Sequence, residues 1–122
     1  MTRILAVDDS PSMRDMVRVA LTSAGFDVTS AVDGQQALDI ARQTQSGFDL
    51  VLSDVNMPVM DGLQFVRALR AESNYRHTPI LMLTTEAGPE RKKEGKDAGA
   101  TGWIVKPFDP AQLVATMHRV LR

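Results

Sequence analysis

The sequence predicts an α/β open sheet of five parallel strands with five helices, and three observations predict it. Apolar runs alternate with helix-period segments five times. Several of those runs are hydrophobic at every position, as strands covered on both faces must be. The awkward polar residues fall at the ends of the runs, where open α/β sheets keep their ligand crevice. No linker, low-complexity stretch or fixed repeat interrupts the alternation, and 122 residues suit one domain, read as 1–122.

The first strand is expected over Ile4–Val7, closed by Asp8 and Asp9. Ser10 and Pro11 then form an N-cap and first-turn pair, and Met13, Met16, Val17, Ala20, Leu21 and Ala24 keep helical spacing until Gly25. The second strand, Asp27–Ala31, ends without chemistry, which places it at an edge. Asp33 reads as a cap, and Gln35–Gln45 as the second helix, with Ala37, Ile40 and Ala41 inward. FDLVLSD carries the third strand, Leu50–Ser53, to Asp54. Asp61 is another cap, before a helix over Leu63–Ala71 with Leu63, Val66 and Leu69 inward. The fourth strand, Pro79–Leu83, ends in Thr84 and Thr85. GPERKKEGKDAG after it is charged on nearly every face and contains Gly95, so it predicts the least stable helix. The fifth strand, Thr101–Val105, leads to Lys106. Asp109 and Pro110 open the last helix, whose inward stripe is Leu113, Val114, Met117, Val120 and Leu121. With right-handed crossovers and the second strand at the edge, the result is a doubly wound, flavodoxin-like sheet of order 2-1-3-4-5.

Composition narrows the functions. No Cys is present, which excludes thiolate zinc sites and cysteine catalysis and suits a reducing cytoplasm. The N-terminus meets two aspartates after a short apolar run, and nowhere do about 18 apolar residues follow one another, so neither a signal peptide nor membrane insertion is expected. With 14 basic and 15 acidic residues there is no general attraction to nucleic acid or anionic lipid. His77 and His118 have no partner at ligand spacing and read as surface residues; Met13, Met16, Met82 and Met117 read as core filler.

The strand order brings Asp8, Asp9 and Asp54 together. Three carboxylates in one pocket raise at least one pKa unless a cation compensates. Two or three carboxylates, a backbone carbonyl and water match Mg²⁺, which shares its shell readily with phosphate oxygens. Lys106 adds a second positive charge and Thr84 a hydroxyl donor. Such a site is shaped for a phosphoryl group, and Asp54, alone at the end of its central strand, is the best-placed nucleophile.

VDDS at 7–10, DVNMPVMDG at 54–62, LTTEA at 83–87 and GWIVKPF at 102–108 together resemble the receiver domain of two-component response regulators, among them the single-domain chemotaxis regulators of CheY type. The resemblance spans the whole chain. It implies Asp54 as phosphoacceptor, Asp8, Asp9 and the Asn56 main-chain carbonyl beside Asp54 as Mg²⁺ ligands, and Thr84 and Lys106 as phosphoryl ligands. It implies a cis Lys106–Pro107 peptide, Trp103 at the position of the family's switch aromatic, and Asn56 and Glu86 as residues that tune hydrolysis. The implied partners are a histidine kinase donor, a downstream protein such as the flagellar motor switch, which reads the fourth-helix, fifth-strand and fifth-helix surface, and a phosphatase. A monomer is expected, with no attached DNA-binding output.

Three other readings share parts of this pattern. A haloacid-dehalogenase-type phosphatase needs a second aspartate two residues after the nucleophile, where this chain has Asn56. A flavin binder needs a phosphate loop after the first strand, and VDDSPS begins with two negative charges. A phosphorelay intermediate or phosphate sink keeps the same chemistry without a motor-like target.

Overall fold

Five strands form one parallel sheet, in the order β2-β1-β3-β4-β5: β1 Arg3–Val7, β2 Asp27–Ala31, β3 Leu50–Asp54, β4 Ile80–Thr84 and β5 Gly102–Val105. The computed structural model describes residues 2–44, 46–85 and 89–121, with Pro89 and Arg91 as backbone alone. The helices are α1 Pro11–Ser23, α2 Gly34–Gln43, α3 Gly62–Arg70, α4 Pro89–Ala98 and α5 Pro110–Val120, with a short 3₁₀ turn at Ser73–Tyr75.

Side-chain alternation along the strands divides the core in two. Leu5, Val7, Val51, Ile80 and Met82 face one side, against Leu38 of α2 and Val66 and Leu69 of α3. Ile4, Leu50, Leu52, Leu81 and Leu83 face the other, against Val17 and Leu21 of α1 and Leu113 and Met117 of α5. β3 and β4 are buried throughout, which explains their unbroken apolar runs. Each buried aliphatic side chain contributes roughly 1.5–3 kcal/mol.

The predicted caps hold. Ser10, Asp33, Asp61 and Asp109 each accept a hydrogen bond from the first turn of the helix they precede, and α3 and α5 carry full capping boxes with Gln64 and Gln112. After α1, Gly25 takes φ +95° while its N–H and that of Phe26 donate to the carbonyls of Thr22 and Leu21, closing the helix end.

Several boundaries move. Asp54 is the last residue of β3, in register with Leu83, rather than the residue after the strand. β4 and β5 each begin one residue later than the apolar pattern suggests, because the Ile80 N–H donates to the Thr101 hydroxyl and the Thr101 N–H to the Ile80 carbonyl, before regular pairing starts. α2 stops at Gln43, since the Thr44 hydroxyl and N–H both return to the Ile40 carbonyl. Met16 is a correction of another kind: it is half-buried and lines a surface groove between α1 and α5, whereas Met82 and Met117 are in the core.

Candidate functional site

Each strand on the site side ends where its backbone leaves the sheet, so its terminal residue lies along the same edge of the sheet. Asp8 follows β1, Asp54 ends β3, Thr84 ends β4 and Lys106 follows β5. Carboxylate oxygens of Asp8, Asp9 and Asp54 lie within 4.8 Å of one another. Asp8 and Asp54 are 3% and 7% exposed and Thr84 is 1% exposed, while Asp9 is open to solvent. The Lys106 ammonium bridges the two buried carboxylates, 3.1 Å from Asp8 Oδ2 and 3.3 Å from Asp54 Oδ2. The Lys106–Pro107 peptide is cis.

Local structure holds Asp54 in place. Its Oδ1 accepts from the Val55 N–H at 2.9 Å. Its carbonyl lies against Gly62, where any Cβ would overlap that oxygen, and the Gly62 N–H donates to the Val55 carbonyl at 2.8 Å. Gly62 therefore lets α3 start directly against the strand end. Burial raises the Asp54 pKa, and the Asp8 charge raises it further; Lys106 and the Val55 N–H pull in the opposite direction. One carboxyl is raised, as expected, but burial contributes more to the shift than the neighbouring acid does.

Oxygen-only donors, two of them buried, with one ammonium shared between them, fit a hard divalent cation such as Mg²⁺. Asn56 lies two residues on, with its side chain exposed. Glu86 lies outside the described residues.

A family model, the response regulator receiver domain, matches residues 4–118. The chain belongs to that family. Chemotaxis protein CheY-3 of Vibrio cholerae is 40% identical over 119 residues, covering 97% of this chain and 90% of that one. The structure of the V. cholerae chemotaxis regulator CheY4 is 56% identical, covers 98% of both chains and superimposes with a TM-score of 0.93. The receiver domain of a Pseudomonas aeruginosa sensor histidine kinase, whose structure has a magnesium ion coordinated in the active-site cleft, is 33% identical over 98% of this chain and 97% of that one, with a TM-score of 0.90. This receiver domain spans about half the length of the DNA-binding regulators among its curated relatives. Receiver domains are phosphoacceptor switches rather than conventional enzymes, and their family implies a kinase donor and a downstream target.

Two features of the site region escaped sequence reasoning. Trp103 lays its ring on Gly95 of α4, where a Cβ would overlap the indole, so the glycine that weakens the helix by propensity is also its seat on the sheet. The indole Nε1 is buried without a hydrogen-bond partner. Arg14 of α1 donates from Nη1 to the Asp8 carbonyl at 2.9 Å. An arginine in the first turns of the helix, six residues after a strand-end aspartate, was the available signal, and by itself it is too common to notice.

Proposed function

We propose that the chain is a phosphorylation-activated signalling switch whose phosphoacceptor is Asp54. The observation that carries this reading is the bridged cluster, in which Lys106 contacts Asp8 and Asp54 while Asp9 completes a set of oxygens within 4.8 Å. Asp8, Asp9, Asp54 and the Asn56 main-chain carbonyl would hold Mg²⁺. When bound, that ion would supply positive charge to a phosphoryl group and offset the burial and the Asp8 charge that raise the Asp54 pKa.

In the transfer, a carboxylate oxygen of Asp54 bonds to phosphorus as the nitrogen–phosphorus bond of a kinase phosphohistidine breaks, and the imidazole leaves with the electron pair. Lys106 neutralises a phosphoryl oxygen and the Thr84 hydroxyl donates to another. Water then cleaves the acyl phosphate, restoring the carboxylate and releasing inorganic phosphate. Asn56 and Glu86 set the hydrolysis rate, and the phosphorylated state is short-lived. A phospho-form that persists for hours overturns that last statement.

The readout surface is α4, β5 and α5, where Trp103, Ile104, Val105, Phe108, Gln112 and Arg119 line a groove of about 540 Å³. Trp103 is the switch aromatic, and a downstream protein such as a flagellar motor switch docks there, with a phosphatase ending the signal. Similarity to chemotaxis regulators supports that target class, and the cytoplasm is the matching compartment. No described helix is long and apolar enough to cross a membrane. Residues 1–122 act as one receiver unit, a monomer without nucleic-acid contacts. Phosphorylation by a small-molecule phosphodonor, with and without Mg²⁺, on wild type and Asp54→Asn, tests the assignment. Labelling that is metal-independent, or that survives the substitution, sinks it.

A further inference from the structure

Asp8, the first of the two acids that follow β1, is held by more than the turn itself. The Asp8 N–H donates to the Ala31 carbonyl on β2 at 3.1 Å, Oδ1 accepts from the Ser10 N–H at 2.9 Å, and Oδ2 faces Lys106 at 3.1 Å. The remaining polar atom, the Asp8 carbonyl oxygen, accepts from Arg14 Nη1 at 2.9 Å. Beneath it lies an apolar seam of Ala6, Val7, Val17, Leu52 and Leu83, with free space of only about 10 Å³. A water molecule needs roughly 10–15 Å³, so there is little room for one beside the guanidinium while Arg14 is in place. The other arginine of α1, Arg18, turns outward to Asp15 at 2.7 Å.

We infer that Arg14 is a positioning residue of the metal and phosphoryl site. By fixing the Asp8–Asp9 peptide it keeps both carboxylates aimed at Asp54. The inference rests on the Mg²⁺-dependent phosphoacceptor reading above. Two effects of Arg14 on a cation oppose each other. Its charge repels Mg²⁺ through a half-exposed, water-screened path, which weakens binding modestly. Its hydrogen bond orients the ligands, and loss of such outer support typically lowers metal affinity roughly 10–100-fold. Positioning wins, so removing the arginine weakens Mg²⁺ binding even though it removes a repelling charge.

The sign of the change therefore decides the matter. Mg²⁺ dissociation constants are measured by isothermal titration calorimetry at fixed pH and ionic strength. Arg14→Met, which keeps the aliphatic stem, is expected to bind about tenfold more weakly. Arg14→Lys, which keeps a donor, stays within about threefold of wild type, and Arg18→Met is unchanged. Should Arg14→Met be too unstable to titrate, Arg14→Gln, whose shorter amide does not reach the carbonyl, takes its place with the same expectation. Equal or tighter binding by the Met or Gln variant overturns the inference, as does a lowered Tm with wild-type Mg²⁺ affinity. Failure of the wild type to bind Mg²⁺ would instead overturn the functional reading.

Discussion

Helices α3 and α4 are neighbours on one face of the sheet, yet they are attached by different means. α3 begins in a capping box and buries Leu63, Phe65, Val66 and Leu69 within nine residues. α4 runs over ten residues, PERKKEGKDA, and among those with described side chains only Gly95 and Ala98 are buried. Its attachment is made from outside: the Trp103 ring rests on Gly95, and the Arg70 side chain packs on Gly99, which takes φ +112° just past the helix end. Arg70 of α3 donates to the carbonyls of Gly99, Tyr75, Arg76 and Thr78, tying the rear of α4 to its neighbour. A helix held by its own apolar stripe resists displacement. One seated on an aromatic ring and one buried alanine near its end, and strapped at that end, can shift at the other, and that is the property a readout surface needs.

The contrast can be broken most forcefully at the α3 core. Leu69→Ala, at a fully buried position, is expected to cost about 3 kcal/mol in denaturant unfolding without altering the midpoint slope. A loss below about 1 kcal/mol would show α3 to be as loosely held as α4. The next test turns on sign. Gly95→Ala gains about 1 kcal/mol of helix propensity at an open site, but here its methyl meets the indole, so a net loss of about 1 kcal/mol is expected. In a Trp103→Ala background the same change becomes stabilising. If it has the same sign in both backgrounds, the ring is not what seats the helix.

Hydrogen exchange sharpens the comparison further. Amides of 91–98 should exchange at least about tenfold faster than those of 64–70, a difference of roughly 1.4 kcal/mol in opening free energy. Equal protection would remove the case for α4 as the movable element. The smallest effect lies on pH. Burial and the Asp8 charge hold the folded Asp54 pKa above 3.8, so the folded state keeps its proton to higher pH than the unfolded chain does. The stability this gives is complete below 3.8 and is lost as pH rises through the folded value. Thermal melts without Mg²⁺ should therefore show Asp54→Asn gaining on wild type with rising pH. A stability difference that does not change with pH would contradict the raised carboxyl.

Much of the candidate site was legible because strand ends are legible. An apolar run that stops at a polar residue marks where the chain leaves the sheet, and four such stops put Asp8, Asp54, Thr84 and Lys106 on one edge once the order 2-1-3-4-5 is known. The caps at Ser10, Asp33, Asp61 and Asp109 were legible for a related reason, since each acts within three residues of itself. Gly95 was misleading. Propensity marks it as a flaw in α4, and only Trp103, arriving from the neighbouring strand, makes it a requirement.

By itself the sequence determined the periodicities, and with them the five strands, the five helices, the edge position of β2 and the identity of the clustered acids. These follow from the two-residue repeat of a strand and the 3.6-residue turn of a helix, which are local properties. Tertiary structure alone decided that Lys106 bridges Asp8 and Asp54, that Arg14 holds the Asp8 carbonyl, and that Arg70 straps four carbonyls at the rear of the sheet. Each of these depends on where a long, flexible cationic side chain finds unpaired oxygens. That choice is made by the packed neighbours and the burial around it, which no stretch of chain carries on its own.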